Sequence, residues 1–209
     1  AEPLYKEAME IRKRVLGTSH SDYAISLNNM AALYSDLGNQ VMAETLYKEA
    51  LDIRKTNVGE NHPDYAQGLN NLGAVYSKMG KYTLAEPLFQ QALSIRKKTL
   101  GENHPDYAET VNNLGFLYSN MGKYANAESL YKEATIIVEQ KVGKEHTSYA
   151  KCINNLGTLY YKTGNYSLAE PLLKNALDIR KRKLGRMSSD YASSLNNVGQ
   201  LYSAMGRYA

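Results

Sequence analysis

The chain has 209 residues, with 25 Lys and Arg against 21 Asp and Glu, a formal net charge of +4, and 43% hydrophobic residues. Its single cysteine, Cys152, excludes an intrachain disulfide, and no apolar run approaches the roughly 20 residues that span a bilayer. No charged-then-apolar leader opens the sequence, so a soluble protein is expected, placed in the cytoplasm where thiols stay reduced.

One unit of 42 residues recurs from end to end: Tyr23, Tyr65, Tyr107, Tyr149 and Tyr191 keep that spacing, as do Tyr34, Tyr76, Tyr118, Tyr160 and Tyr202. A unit this short cannot bury its apolar face alone and must stack on its neighbours. The sequence opens on a helix of type B near 1–15, a half repeat covering 1–20. A helix of type A follows near 21–37 and a B helix near 40–57. The same pair then returns near 63–79 and 82–99, near 105–121 and 124–141, and near 147–163 and 166–183. These are the repeats 21–62, 63–104, 105–146 and 147–188, and an A helix near 189–205 lies in the last half repeat, 189–209.

Each assignment rests on spacing. In helix A, Tyr65, Leu69, Leu72 and Tyr76 fall at i, i+4, i+7 and i+11, one amphipathic stripe. Pro63 suits a first turn, Asn61 or His62 is the expected cap, and Gly80 closes the helix. In helix B, Ala85, Leu88, Phe89, Ala92 and Ile95 share one side, Pro87 falls early enough to be tolerated, and Gly101 stops the helix. The whole chain is expected to be a single domain with one continuous core.

Several repeated residue types invite a chemical reading that their register argues against. His20, His62, His104 and His146 recur once per unit; helices pack roughly 10 Å apart while zinc binds histidine near 2 Å, so capping rather than metal binding is expected. The pairs Arg54-Lys55 and Arg96-Lys97 and the run from Arg180 to Lys183 fall at B-helix ends, where cations offset the macrodipole; no nucleic-acid partner is expected. Of 18 tyrosines, all but Tyr161 sit at four repeated places, among them the series Tyr82, Tyr124, Tyr166 and Tyr208, as packing elements do. Phosphate-binding loops and catalytic motifs are lacking, so no enzyme, cofactor or metal is expected.

The motif LNNLGAVY with Gly80, Ala85, Phe89 and Ala92 resembles the tetratricopeptide repeat, and the longer unit with its GENHPDYA loop is similar to the kinesin light chains. The resemblance implies an all-α fold, a tetratricopeptide α-solenoid wound as a right-handed superhelix of antiparallel helix pairs, with the A helices on a concave inner wall. It also implies that Asn28, Asn70, Asn112, Asn154 and Asn196, the first asparagine of each pair, face a bound peptide. An amide offers both a donor and an acceptor, the complement of a peptide group. Basic groove residues read acidic peptides in those relatives; the matching places here hold Lys78, Lys151 and Lys162, but also Asp36 and Glu109.

Selectivity is expected where the inner wall departs from its own repeat. Phe116 stands in a series with Ala32, Ala74, Thr158 and Gln200, and Tyr161 in a series of serines, so the two are expected to form one aromatic pocket. The expected function is a non-catalytic scaffold that captures a protein or peptide in this groove, without membrane contact. Two other readings stand beside it: a structural spacer that stacks head to tail through the uncovered ends, with Leu195, Val198 and Tyr202 exposed on the last helix, and a sensor array within a larger signalling protein.

Overall fold

In a computed structural model that describes residues 1–207, helix follows helix without a strand among the described residues: α1 (Glu2–Leu16), α2 (Ser21–Asp36), α3 (Gln40–Val58), α4 (Pro63–Lys78), α5 (Tyr82–Leu100), α6 (Pro105–Asn120), α7 (Tyr124–Val142), α8 (Thr147–Lys162), α9 (Tyr166–Leu184) and α10 (Ser189–Ala204). Even-numbered helices are the A helices and odd-numbered the B helices. Tyr208 lies outside the described residues.

The boundaries follow from the loop chemistry. His62 caps α4 through Nδ1, which accepts from the backbone N–H of Asp64 at 3.1 Å, and His20, His104 and His146 do the same for α2, α6 and α8. In the fifth copy Ser188 replaces the imidazole and accepts from Asp190 N–H at 3.2 Å. Pro63 and Pro105 stand in the first turn, where no intrahelical N–H bond is lost. At the other end Gly80 takes φ 73°, while Lys81 N–H bonds to the Tyr76 carbonyl at 2.9 Å and Gly80 N–H to that of Ser77 at 3.1 Å. That is a Schellman closure, and it requires a residue free to adopt the left-handed region. Pro87 lies inside α5 on its exposed side, so the Thr83 carbonyl that loses its partner is left to water.

The chain divides into two compact units, 1–102 with α1 to α5 and 103–209 with α6 to α10. In the first, α2 packs on α3 and α4 on α5, while α3 also packs on α4. Its core includes Tyr23, Ala24, Leu27 and Ala50, flanked by Met9, Leu46 and Ile53. In the second, α6 packs on α7 and α8 on α9, with α7 against α8 and α9 against α10. Its core joins Ala127 and Tyr131 of α7 to Leu156, Leu159 and Tyr160 of α8, Leu173 of α9 and Val198 and Leu201 of α10. Within the units, α3, α7 and α9 thus each touch both the A helix before and the one after. In α10, Val198 is buried and Tyr202 packs at the core edge, donating to Glu170 at 3.4 Å; of the three residues expected to be exposed, Leu195 is the exposed one. The difference arises because α9 already covers that side of α10.

Close approach inside a hairpin depends on one position of helix A. A Cβ at Gly73 would lie 3.0 Å from the Phe89 ring, at Gly115 3.0 Å from Tyr131, and at Gly157 2.9 Å from Leu173. At Gly199 of α10 nothing stands within 4 Å. Gly157→Ala therefore forces α8 and α9 apart and is expected to destabilise the protein by about 1–3 kcal/mol. Gly199→Ala only removes backbone freedom within a helix and is expected to stabilise it by about 0.5–1 kcal/mol. Chemical denaturation of the two variants checks both signs.

Candidate functional site

Helix A has one side that no B helix covers. In α4 that side carries Gln67, Asn71, Ala74 and Lys78, spaced i, i+4, i+7 and i+11 and at least partly exposed, while the positions between them are buried. The same register gives Ile25, Asn29, Ala32 and Asp36 on α2; Glu109, Asn113, Phe116 and Asn120 on α6; Lys151, Asn155, Thr158 and Lys162 on α8; and Ser193, Asn197, Gln200 and Ala204 on α10. The second asparagine of each pair is the constant member of this stripe. The other three places vary from copy to copy.

The first asparagine lies elsewhere. Asn70 and Asn112 are 1% exposed and Asn154 is 8% exposed, whereas Asn28 is half-buried and Asn196 exposed. One step along a helix turns a side chain by about 100°, which carries this residue from the open side into the seam between successive A helices. There the paired amides form a ladder. Asn71 Nδ2 donates to Asn28 Oδ1 at 2.9 Å in the first unit; in the second, Asn155 Nδ2 donates to Asn112 Oδ1 at 3.1 Å and Asn197 Nδ2 to Asn154 Oδ1 at 3.0 Å. For Asn112 and Asn154 the seam position, and for Asn70 its burial, correct the expectation of a ligand-facing side chain.

Three lysines on the open side reach toward the preceding A helix. Lys78 Nζ donates to Ser35 Oγ at 2.7 Å, Lys151 Nζ to Asn113 Oδ1 at 3.4 Å and Lys162 Nζ to Asn120 Oδ1 at 3.5 Å. All three remain exposed. Phe116 is 41% exposed. Tyr161, in the series whose serines at 35, 77 and 119 are buried, packs at the edge of the second unit's core, its ring 6.1 Å from that of Tyr166. The two aromatic side chains expected to share a pocket therefore stand in different surroundings, Phe116 in solvent and Tyr161 against α9.

A set of arginines was missed by reading the basic clusters as helix-end cations. Arg96 and Arg180 are buried, 1% and 6% exposed, while the residues that follow them in the last turn supply the surface charge. Arg12, Arg54 and Arg180 each donate to a backbone carbonyl ten residues on, of Asp22, Asp64 and Asp190, at 3.1–3.2 Å. Arg12 and Arg180 also reach a hydroxyl fourteen residues on, Ser26 at 2.8 Å and Ser194 at 2.7 Å, and Arg96 donates to Gln67 Oε1. Burial lowers the Arg54 and Arg180 guanidinium pKa below the ordinary value, opposed by Asp64 and Asp190. The hydroxyl fourteen residues on, present at Ser26, Thr110 and Ser194 but not at Gly68, was the available sequence signal.

Cys152 is buried beside this stripe, and desolvation pushes its thiol up to about 11, with Lys151 opposing. A thiol held there stays protonated near neutrality and is a poor nucleophile. Asn155→Ala removes one rung of the ladder from Asn112 and is expected to cost about 1–2 kcal/mol. Urea unfolding checks this, with Asn120→Ala, at a partly exposed place outside the ladder, expected to stay within about 0.5 kcal/mol of the parent.

The family model described as tetratricopeptide repeat matches residues 1–56, 64–140, 108–182 and 149–209. Among solved structures, BtubC (BKLC) from P. vanneervenii is similar with a TM-score of 0.75 and 26% identity, over 99% of this chain and 83% of that one. A Podosopora anserina protein described as a kinesin light chain with nearly identical TPR-like repeats gives a TM-score of 0.68 at 23% identity, over 90% of each chain. No curated protein sequence matched. The ten helices, the strand-free order of the described residues and the repeated A–B hairpins are those of the tetratricopeptide α-solenoid, and the chain belongs to the tetratricopeptide repeat family.

Proposed function

We propose that the open stripe of the A helices is a groove that holds an extended segment of a partner protein. Repeats of this family generally mediate protein–protein interaction, and the finer reading rests on one observation. Among copies that otherwise repeat the same tyrosines, leucines and asparagines, the side chains differ on the uncovered side of helix A: Ile25, Gln67, Glu109, Lys151 and Ser193 at one place, Ala32, Ala74, Phe116, Thr158 and Gln200 at another, Asp36, Lys78, Asn120, Lys162 and Ala204 at a third. Internal packing imposes sameness; a surface that reads a ligand does not.

The constant asparagine of the stripe supplies backbone recognition. A primary amide has two N–H donors and two acceptor lone pairs. Asn155 and Asn197 each direct one donor to the ladder, and the remaining capacity suits a peptide group running past them. Asn28 in the first unit and Asn196 in the second, the accessible members of the first series, take part as well. Lys78, Lys151 and Lys162 supply positive charge, Asp36 and Glu109 negative charge, so the segment bound is of mixed charge. Phe116 is the apolar anchor, and Tyr161, which packs against α9, borders the stripe on the next A helix.

The test is a peptide-display selection against the whole chain, followed by affinity and melting measurements on Phe116→Ala and Tyr161→Ala. Phe116→Ala is expected to weaken binding of selected peptides by about tenfold or more while leaving the melting temperature within about 2 °C of the parent. Lost stability with unchanged affinity would show that Phe116 only fills space.

A second reading is favoured by α1, where Leu4, Ile11 and Val15 are 72%, 46% and 68% exposed. That face would accept the side of another copy's α10, giving head-to-tail stacking. Light scattering that finds a concentration-independent monomer would remove it.

A further inference from the structure

The arginine of this series is absent from one copy only. Arg12, Arg54, Arg96 and Arg180 occupy four of the five equivalent places, and the fifth holds Val138. Fourteen residues on, where three copies carry a hydroxyl and one a glycine, stands Cys152. Between α6, α7 and α8 lies a cleft of about 280 Å³ at this place. Val138 and Cys152, each 3% exposed, and Asn112 at 1% form its floor, while Glu109, Ser148 and Lys151 stand around its mouth.

The charged groups of the cleft are engaged already. Asp106 and Glu109 have interactions of their own, and Lys151 Nζ is directed to Asn113 Oδ1 at 3.4 Å. Of the groups that receive a guanidinium elsewhere, one persists. The carbonyls of Asp22, Asp64 and Asp190, ten residues after their arginines, accept from them at 3.1–3.2 Å, and Ser148 stands at that interval from Val138. Its carbonyl has a second lone pair beyond the one used in the helix, and the donor that other copies supply is missing. An independent observation comes from α6. Asn112 Oδ1 accepts from Asn155 Nδ2 at 3.1 Å, whereas its own Nδ2 is buried without a hydrogen-bond partner. A buried donor left unpaired is costly, and here it belongs to the floor of a cleft with room for a side chain.

We propose that this cleft receives the side-chain amide of a glutamine from the partner segment. The glutamine Oε1 accepts from Asn112 Nδ2, its amide N–H donates to the Ser148 carbonyl, and its two methylenes lie on Val138 and Cys152. A primary amide carries an acceptor and two donors on one uncharged group, which is the pairing that these two protein groups ask for. A carboxylate or an ammonium would leave water for a floor of valine and cysteine with the neighbouring charges already engaged. A hydrocarbon would seal the Asn112 donor from solvent without pairing it. The proposal rests on the groove reading and gives one place along that groove its side-chain chemistry.

The test uses the whole chain, labelled with 15N, and three small probes: N-acetyl-glutamine methylamide and its glutamate and norleucine counterparts. The glutamine probe is expected to give saturable shifts at the Asn112 side-chain amide and at the backbone amides of Val138 and Cys152. The norleucine probe is expected to bind about tenfold more weakly, and the glutamate probe more weakly still or not at all. Val138→Arg, which restores the side chain of the other four copies, is expected to abolish the response in a folded protein. Val138→Met fills the cleft without adding charge and is expected to weaken the glutamine probe several-fold or more, which keeps the test decisive if Val138→Arg does not fold. Equal response to the three probes, which share their backbone carbonyls, would assign the Asn112 donor to the peptide backbone and overturn the proposal. The absence of a saturable shift, or an undiminished response in either folded variant, would overturn it too. Selected peptides that depend on Phe116 but on no glutamine would overturn it alone and leave the groove standing, whereas a saturable glutamine response with no peptide selected would uphold the cleft chemistry and remove the groove.

Discussion

Everything in this molecule depends on the inability of one helical hairpin to cover itself. An A helix of 16 residues and a B helix of 19 meet along one line, and the far side of the B helix stays apolar until the next A helix lies on it. The same few side chains therefore recur within each unit: an alanine or glycine where the backbones approach, an aromatic ring or a leucine against it, a tyrosine whose hydroxyl reaches a glutamate. Tyr76 to Glu44, Tyr160 to Glu128 and Tyr202 to Glu170 are three instances of that last contact. Lys48 and Lys132 hold Glu44 and Glu128 below the usual carboxylate range, mainly through hydrogen bonds, with Tyr76 and Tyr160 adding to the effect.

The repeat made the helices legible almost to the residue, because their ends are written in strong local chemistry. A histidine two residues before an aspartate or serine caps four of the A helices, and a glycine with φ between 71° and 86° follows the end of each helix. Side-chain direction was less legible. In the motif LNNL the two asparagines are chemically identical, and only the phase of the helix relative to the neighbouring A helix decides which one enters the seam. That phase is fixed by packing across 43 residues, as in Asn71 to Asn28, and no local pattern carries it. Tyr161 failed to match expectation for a related reason: an aromatic ring placed where other copies have a buried serine can turn either way, and the adjacent α9 with Tyr166 decides it.

The arginine series shows how a sound local argument conceals a second cause. Cations near a helix C-terminus are favourable, and Lys55, Lys97 and Lys181 satisfy that rule. Arg54 and Arg180, each one residue earlier, tie the last turns of a B helix to the first turns of the next A helix, and Arg96 reaches back to Gln67. Where the arginine is lost, at Val138, a cysteine replaces the hydroxyl that would have received it, so the two changes belong together. Irregularity in a repeated chain is thus informative in pairs: one substitution opens space, and its partner tells which chemistry has been withdrawn from it.

The closing glycines fall at 17, 38, 59, 80, 101, 122, 143, 164, 185 and 206, a uniform step of 21. Two unlike helices, each with its own loop, thus occupy the same length of chain. A gain or loss of 42 residues leaves every face against its proper neighbour, whereas a change of 21 sets B against B and one of any other size misaligns the faces. Arrays of this kind grow and shrink in whole copies, which leaves single replacements on the uncovered side as the means by which one copy comes to differ from the next.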